Sequence, residues 1–144
     1  MTDPPLVVER MYEAGCAELF DAWTDPALIQ QWFFVDPTWH AEVSADVRPG
    51  GSYTLSMITT DGERHTMTGR YLELERPRRV VFTWNSHVTQ DTKVTVEIEP
   101  VGSKTRVRLI HEGISDPAAR PPHERGWTGC LANLDAWLVA AASP

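Results

Sequence analysis

The chain has 144 residues, of which 42 % are hydrophobic and 23 % charged, the balance of one globular domain over 1–144 rather than of a disordered or two-domain chain. A net charge of −7 argues against nucleic acid as a partner, since a phosphate backbone calls for a basic face. With no apolar run near the roughly 20 residues of a membrane span, and no basic-then-apolar order in the opening MTDPPLVVER, the expected location is cytoplasmic.

The first element is a strand over Leu6 to Tyr12, rich in β-formers and stopped by Gly15. Leu19, Phe20 and Trp23 then fall at helical spacing, and Asp25-Pro26 interrupts them. Asp25 as cap and Pro26 at the first helical position open a second short helix, which carries Leu28, Ile29, Trp32 and Phe33.

From Trp39 to Val47 the residues alternate, with Trp39, Ala41, Val43, Ala45 and Val47 on one face of a half-buried strand. Two further strands follow Arg48-Pro49-Gly50-Gly51 and join through Asp61-Gly62. Read as a two-residue hairpin loop, that dipeptide pairs Met57 with Thr66, Leu55 with Thr68 and Tyr53 with Arg70. The inner face then holds Tyr53, Leu55, Met57, Leu72 and Leu74 together with Thr66, Thr68 and Arg70. A turn at Glu75 to Arg78 leads into a strand with Val80, Phe82 and Trp84 on one side. Pairing Leu74 with Val80 across it sets Arg70 beside Trp84.

The last hairpin closes at Gly102-Ser103, a type II′ candidate. Pairing Val101 with Lys104 sets Glu99 opposite Arg106, Glu97 opposite Arg108 and Lys93 opposite Glu112 on one exposed face. Val94, Val96, Ile98, Val107, Leu109 and His111 occupy the other. A Pro-rich connector then reaches a long amphipathic helix over Pro122 to Ala142, whose apolar stripe is Trp127, Cys130, Leu131, Leu134, Leu138 and Ala141. Gly126 and Gly129 each cost about 1 kcal/mol inside a helix, so close backbone approach or open room must compensate. Cys130 on this stripe reads as a small buried hydrophobe. With Cys16 far away and no CxxC pair, no metal site is expected, and no cofactor is implied.

The order is β-α-α-β-β-β-β-β-β-α, an α+β fold in which an antiparallel meander needs the terminal helix as its cover. Several stretches resemble, in order and over nearly the whole chain, the homologues of the activator of the heat-shock-protein-ninety ATPase. They are AELFDAWTDPALIQQWF, DVRPGGSYTLSM, GRYLELERPRRVVFTW and HERGWTGCLANLDAWL. That family lies within the START-like (SRPBCC), helix-grip superfamily. The resemblance implies a curved antiparallel sheet of six or seven strands gripping the C-terminal helix, often with a cavity between them.

The candidate lining of such a cavity is the inward face: Tyr53, Leu55, Met57, Thr68, Arg70, Phe82, Trp84, Val96, Leu109 and His111, facing Trp127, Leu131 and Leu134. It is mostly apolar with few polar groups, as small-molecule sites are. Arg70 beside Trp84 suits a cation–π contact or a ligand carboxylate, and equally a rim position with only its stem buried. His111 reads as a ligand contact or as a core histidine with a partner.

Trp32 and Phe33 read as helix-packing aromatics or as a pocket mouth. Neither a nucleophile elbow, nor paired inward carboxylates, nor a P-loop occurs in the sequence. Three readings stay open. One is binding of a small hydrophobic or amphipathic molecule with an acidic end. The second is a polyketide-cyclase-like enzyme using Arg70, His111 or Tyr53. The third, which the family resemblance implies, is a chaperone partner that activates its ATPase. The eukaryotic activators carry a further N-terminal domain, so the resemblance implies that role least directly.

Overall fold

The computed structural model describes residues 4–142, so residues 1–3, the start of the stretch read for a leader, and 143–144 lie outside it. Seven strands form one antiparallel sheet: β1 Leu6–Tyr12, β2 His40–Ala45, β3 Ser52–Ile58, β4 Arg64–Glu75, β5 Arg79–Trp84, β6 Thr92–Val101 and β7 Lys104–Glu112. Their order is β1-β7-β6-β5-β4-β3-β2. The six later strands run as a meander and β1 returns to pair with the last of them, Leu6 opposite His111 and Tyr12 opposite Thr105.

Helices α1 Cys16–Thr24 and α2 Pro26–Ile29 connect β1 to β2, and α3 Arg120–Ala142 closes the chain. The Asp25 carboxylate accepts from the Ala27 N–H at 3.0 Å, the expected cap. The second helix is only four residues long, however. Trp32 and Phe33 fall just beyond it, yet they are 0 % and 3 % exposed. Tertiary burial holds them, with the Trp32 Nε1–H donating to the Ala22 carbonyl at 3.0 Å.

A 3-10 turn at Pro117–Ala119 feeds α3, which begins two residues earlier than expected and places Glu124 beyond its first turn. Trp127, Cys130, Leu131, Leu134 and Leu138 are buried as expected. Ala141 is exposed, so the buried stripe ends one turn sooner. Three bonds fix the helix. The Tyr12 hydroxyl donates to the Leu131 carbonyl at 2.8 Å, Arg10 pairs with Asp135 at 2.9 Å, and the Asn133 amide donates to the Phe34 carbonyl.

Gly129 explains its own cost, because a Cβ there would stand 2.8 Å from the Val35 backbone oxygen and 3.1 Å from its Cγ1. Gly129→Ala should therefore destabilise by about 1–3 kcal/mol even though alanine favours helix. Chemical denaturation checks this, and a neutral or stabilising result would mean that the 34–36 segment yields freely.

The last hairpin has the expected register, Val101 opposite Lys104 through Lys93 opposite Glu112, with Gly102 at φ +63°. Arg106–Glu99 and Lys93–Glu112 form ion pairs. Glu97 and Arg108 are opposite but each bonds one strand further out, Glu97 to Arg79 at 3.3 Å and Arg108 to Glu9 at 3.6 Å.

The β3–β4 register corrects the sequence reading by one residue. Thr59 pairs with Glu63 around a three-residue loop with Gly62 at φ +89°, the type I turn plus G1 bulge rather than a two-residue turn. Met57 thus faces His65, Leu55 faces Met67 and Tyr53 faces Gly69. A one-residue slip exchanges faces. Thr66, Thr68 and Arg70 accordingly lie on the outer surface, while Met67 and Tyr71 are buried.

A bulge between Tyr71 and Glu73 then restores the phase. The Leu74–Val80 pair holds as expected, Leu72 is left 50 % exposed, and Tyr71 rather than Arg70 shares the inner face with Phe82.

Candidate functional site

Of the thirteen sequence-selected lining residues, eleven have buried side chains in the core between sheet and helices: Tyr53, Leu55, Met57, Phe82, Trp84, Val96, Leu109, His111, Trp127, Leu131 and Leu134. Thr68 and Arg70 are exposed, and the Arg70 backbone N–H donates to the Thr83 hydroxyl at 2.8 Å. The cation that was to orient an acidic ligand is therefore outside.

Two mostly apolar pockets reach into the core. The larger, about 150 Å³, sits beneath the N-terminal half of α3. Its walls are Met57 and Met67 from the β3–β4 hairpin, Trp84 and residues 86–88 after β5, Phe33 and Val35 from the segment after α2, and Pro122, His123, Gly126, Trp127 and Cys130 of α3. His87, Val88 and Pro122 are exposed and form its rim. The smaller, about 30 Å³, lies deeper among Trp23, Ile29, Val43, Tyr53, Leu55, Tyr71 and Phe82. Phe33 and Trp84 border both.

A chain of hydrogen bonds fixes the polar groups around the larger chamber. The Trp127 Nε1–H donates to His111 Nδ1 at 3.1 Å, so His111 carries its proton on Nε2 and donates to the Thr92 hydroxyl at 2.8 Å. Thr92 donates in turn to the Trp84 carbonyl at 2.8 Å. The Trp84 Nε1–H reaches His123 Nε2 at 3.4 Å, and His123 Nδ1 faces the Ala119 carbonyl at 2.8 Å. Both histidines are thus assigned as neutral tautomers. Burial, and secondarily the neighbouring His123, push the pKa of His111 down to about 3.

His111 is therefore a core histidine with partners on both nitrogens. The Tyr53 hydroxyl donates to the Thr83 carbonyl at 2.6 Å, and burial raises its pKa. Burial also raises that of the Cys130 thiol, which suits the inert, buried role read from the helix stripe. Tyr53, Arg70 and His111 are all absent from the walls of the larger chamber. Among the described residues no cluster of three or more His, Cys, Asp or Glu is placed to hold a metal, and no helix is long and apolar enough to cross a membrane.

A curled antiparallel sheet closed on a C-terminal helix, with a chamber between them, is the geometry that the sequence resemblance implied. The family model described as activator of Hsp90 ATPase homolog 1-like protein matches residues 13–139. The chain belongs to this family.

Solved structures agree on the fold. The AHSA1 protein SPO3351 from Silicibacter pomeroyi is 27 % identical with a TM-score of 0.83, over 95 % of this chain and 99 % of that one. Protein CV1439 from Chromobacterium violaceum is 25 % identical with a TM-score of 0.83, over 93 % and 96 %. A protein from Rhizobium leguminosarum is 27 % identical with a TM-score of 0.77, over 94 % of each chain. A comparison with curated proteins gave no match. The fold is thus the helix-grip fold of the START-like superfamily, in which a shared architecture does not fix a shared function.

In this AHSA1-family chain the sequence reading missed the chamber's loop-borne walls Val35 and residues 86–88, whereas Phe33, read as a packing aromatic or a pocket mouth, both packs and lines the chamber. The reading also missed Met67 and His123. Met67 had a signal in Gly69, a glycine inside a strand. A Cβ there would meet the Thr83 carbonyl oxygen at 2.0 Å and the Tyr53 ring at 2.6 Å, which marks Gly69 and its alternating neighbours Met67 and Tyr71 as inward. His123 had a signal in lying four residues before Trp127, on the same helix stripe.

Proposed function

We propose that this protein binds a small, neutral, mostly apolar molecule in the chamber beneath α3. The observation that carries the reading is the lining. Apolar and aromatic side chains from four separate segments converge on about 150 Å³, and the wall contains no Arg or Lys. Its ring donors at Trp84 and Trp127 are already bonded within the protein. A mostly apolar cavity of about 150 Å³ suits a single benzene-sized ring, whereas an anion would lose its hydration with no Arg or Lys to replace it.

The acidic end entertained from the sequence depended on an inward Arg70, so it drops out with that residue. The test is a titration with toluene and with benzoate, followed by intrinsic tryptophan emission, which Trp84 and Trp127 should report. Toluene should bind saturably, with benzoate weaker by at least about tenfold. Equal binding of the two would overturn the neutral-ligand reading. Failure of both would leave the interior a closed core and move function to the outer surface, where a contact of the kind named in the family's description would belong.

A further inference from the structure

The two cavities share two wall residues, Phe33 and Trp84, and of these only Trp84 is held by a side-chain hydrogen bond. Phe33 follows α2 in a segment with no regular structure. Its ring sits among Trp23 at 6.0 Å, Trp32 at 5.1 Å, Trp84 at 6.3 Å and Trp127 at 5.8 Å between centroids. Its neighbours are tied down: Trp32 by its bond to Ala22, and Phe34 by the Asn133 amide on its carbonyl. A phenyl ring has no hydrogen bond to lose, so it can turn aside at the cost of its packing contacts alone.

The deeper cavity holds a second oddity. Trp23 lines it and is 4 % exposed, yet its Nε1–H is buried with no acceptor. Tryptophan N–H groups find a partner when buried, and one left alone calls for an explanation.

We propose that Phe33 is a displaceable stopper dividing one longer binding site, whose preferred ligand is an elongated neutral molecule of two-ring length carrying a hydrogen-bond acceptor for Trp23 Nε1–H at its inner end. The inference rests on the ligand reading above. With the stopper aside, the two cavities and the space of the ring approach the lower end of ordinary ligand sites, about 300 Å³. With it in place, long ligands bind only to the fraction of molecules whose ring has turned, which weakens their apparent affinity by that fraction.

The experiment measures calorimetric affinities of toluene, 2-ethylnaphthalene and 2-acetylnaphthalene for the unmutated protein, Phe33→Leu and Phe33→Ala. Removing the ring should tighten both naphthalenes by about tenfold or more, whereas toluene, which loses a wall of its own chamber, should bind no tighter. Phe33→Leu should give the same order with a smaller change, which keeps the test decisive if Phe33→Ala fails to fold. The acetyl compound should bind about fivefold tighter than the ethyl one in the Phe33 variants, and adding Trp23→Phe should erase that preference.

Naphthalene affinities that do not change in either Phe33 variant overturn the stopper while toluene binding upholds the chamber. Tightening without an acetyl preference overturns the role of Trp23. Absence of toluene binding to the unmutated protein defeats the chamber reading itself, and this inference with it.

Discussion

Leu134→Ala is expected to lower the unfolding free energy by about 2–5 kcal/mol. Leu134 is 0 % exposed in the middle of α3 and borders neither cavity, so its removal leaves a new hole instead of widening an existing one. The loss combines the transfer free energy of the missing methyl groups with the lost contacts around the hole. The range depends on how far α3 settles toward the sheet. That settling is limited, because Tyr12, Arg10 and Asn133 fix the helix at Leu131, Asp135 and Phe34. Denaturant unfolding with an unchanged m-value would measure the loss cleanly. A loss below about 1 kcal/mol would show that the helix is a loose cover rather than part of the core.

Acidification should cost nearly as much. His111 is neutral in the folded protein, its pKa pushed from 6.5 down to about 3 by burial, whereas in the unfolded chain it titrates normally. Between those two values the unfolded state binds more protons, so stability rises with pH and falls on acidification from 6.5 toward 3. The slope approaches about 1.4 kcal/mol per pH unit, so going from pH 7.5 to 5 removes about 2 kcal/mol through this residue. Protonation would also place a donor on Nδ1, where the Trp127 N–H already donates, and so detach the helix end of the network. Thermal unfolding at both pH values should show this fall. In His111→Gln, whose amide can accept from Trp127 and donate to Thr92, the fall should shrink by that amount. An equal fall in both proteins would place the acid sensitivity elsewhere.

The sequence was legible where two independent signals agreed. In the last hairpin, Gly102-Ser103 and the complementary charges both demand the same register, and the pairs from Lys93–Glu112 to Val101–Lys104 are as read. At Asp61-Gly62 a single signal had two readings. A glycine with positive φ serves a two-residue loop or the last position of a three-residue loop. The second reading would have joined Met67, Gly69 and Tyr71 to Tyr53, Leu55 and Met57, and Thr66, Thr68 and Arg70 to Ser52, Thr54 and Ser56, a cleaner separation of apolar from polar residues than the one chosen. Leu72 and Leu74, apolar on the wrong alternation, obscured it, because the bulge between Tyr71 and Glu73 has no sequence mark of its own.

Most of the chamber lay beyond such reasoning. Trp84 and Trp127 sit on periodic elements and were found. Val35 and residues 86–88 come from segments without periodicity, so only the folded chain brings them to the same space. The pairing of His111 with Trp127 and Thr92 was foreseeable as a class, a core histidine with partners, but the partners' identities depend on how α3 lies across the sheet.

The central claim, a chamber for a neutral apolar molecule under α3, is tested most directly by diffraction from crystals equilibrated with bromobenzene, whose bromine marks its own position by anomalous scattering. The account predicts a peak enclosed by Met57, Met67, Trp84, Trp127 and Cys130. A chamber without that peak at saturating bromobenzene, or bromine found only on the outer surface of the sheet, would contradict it.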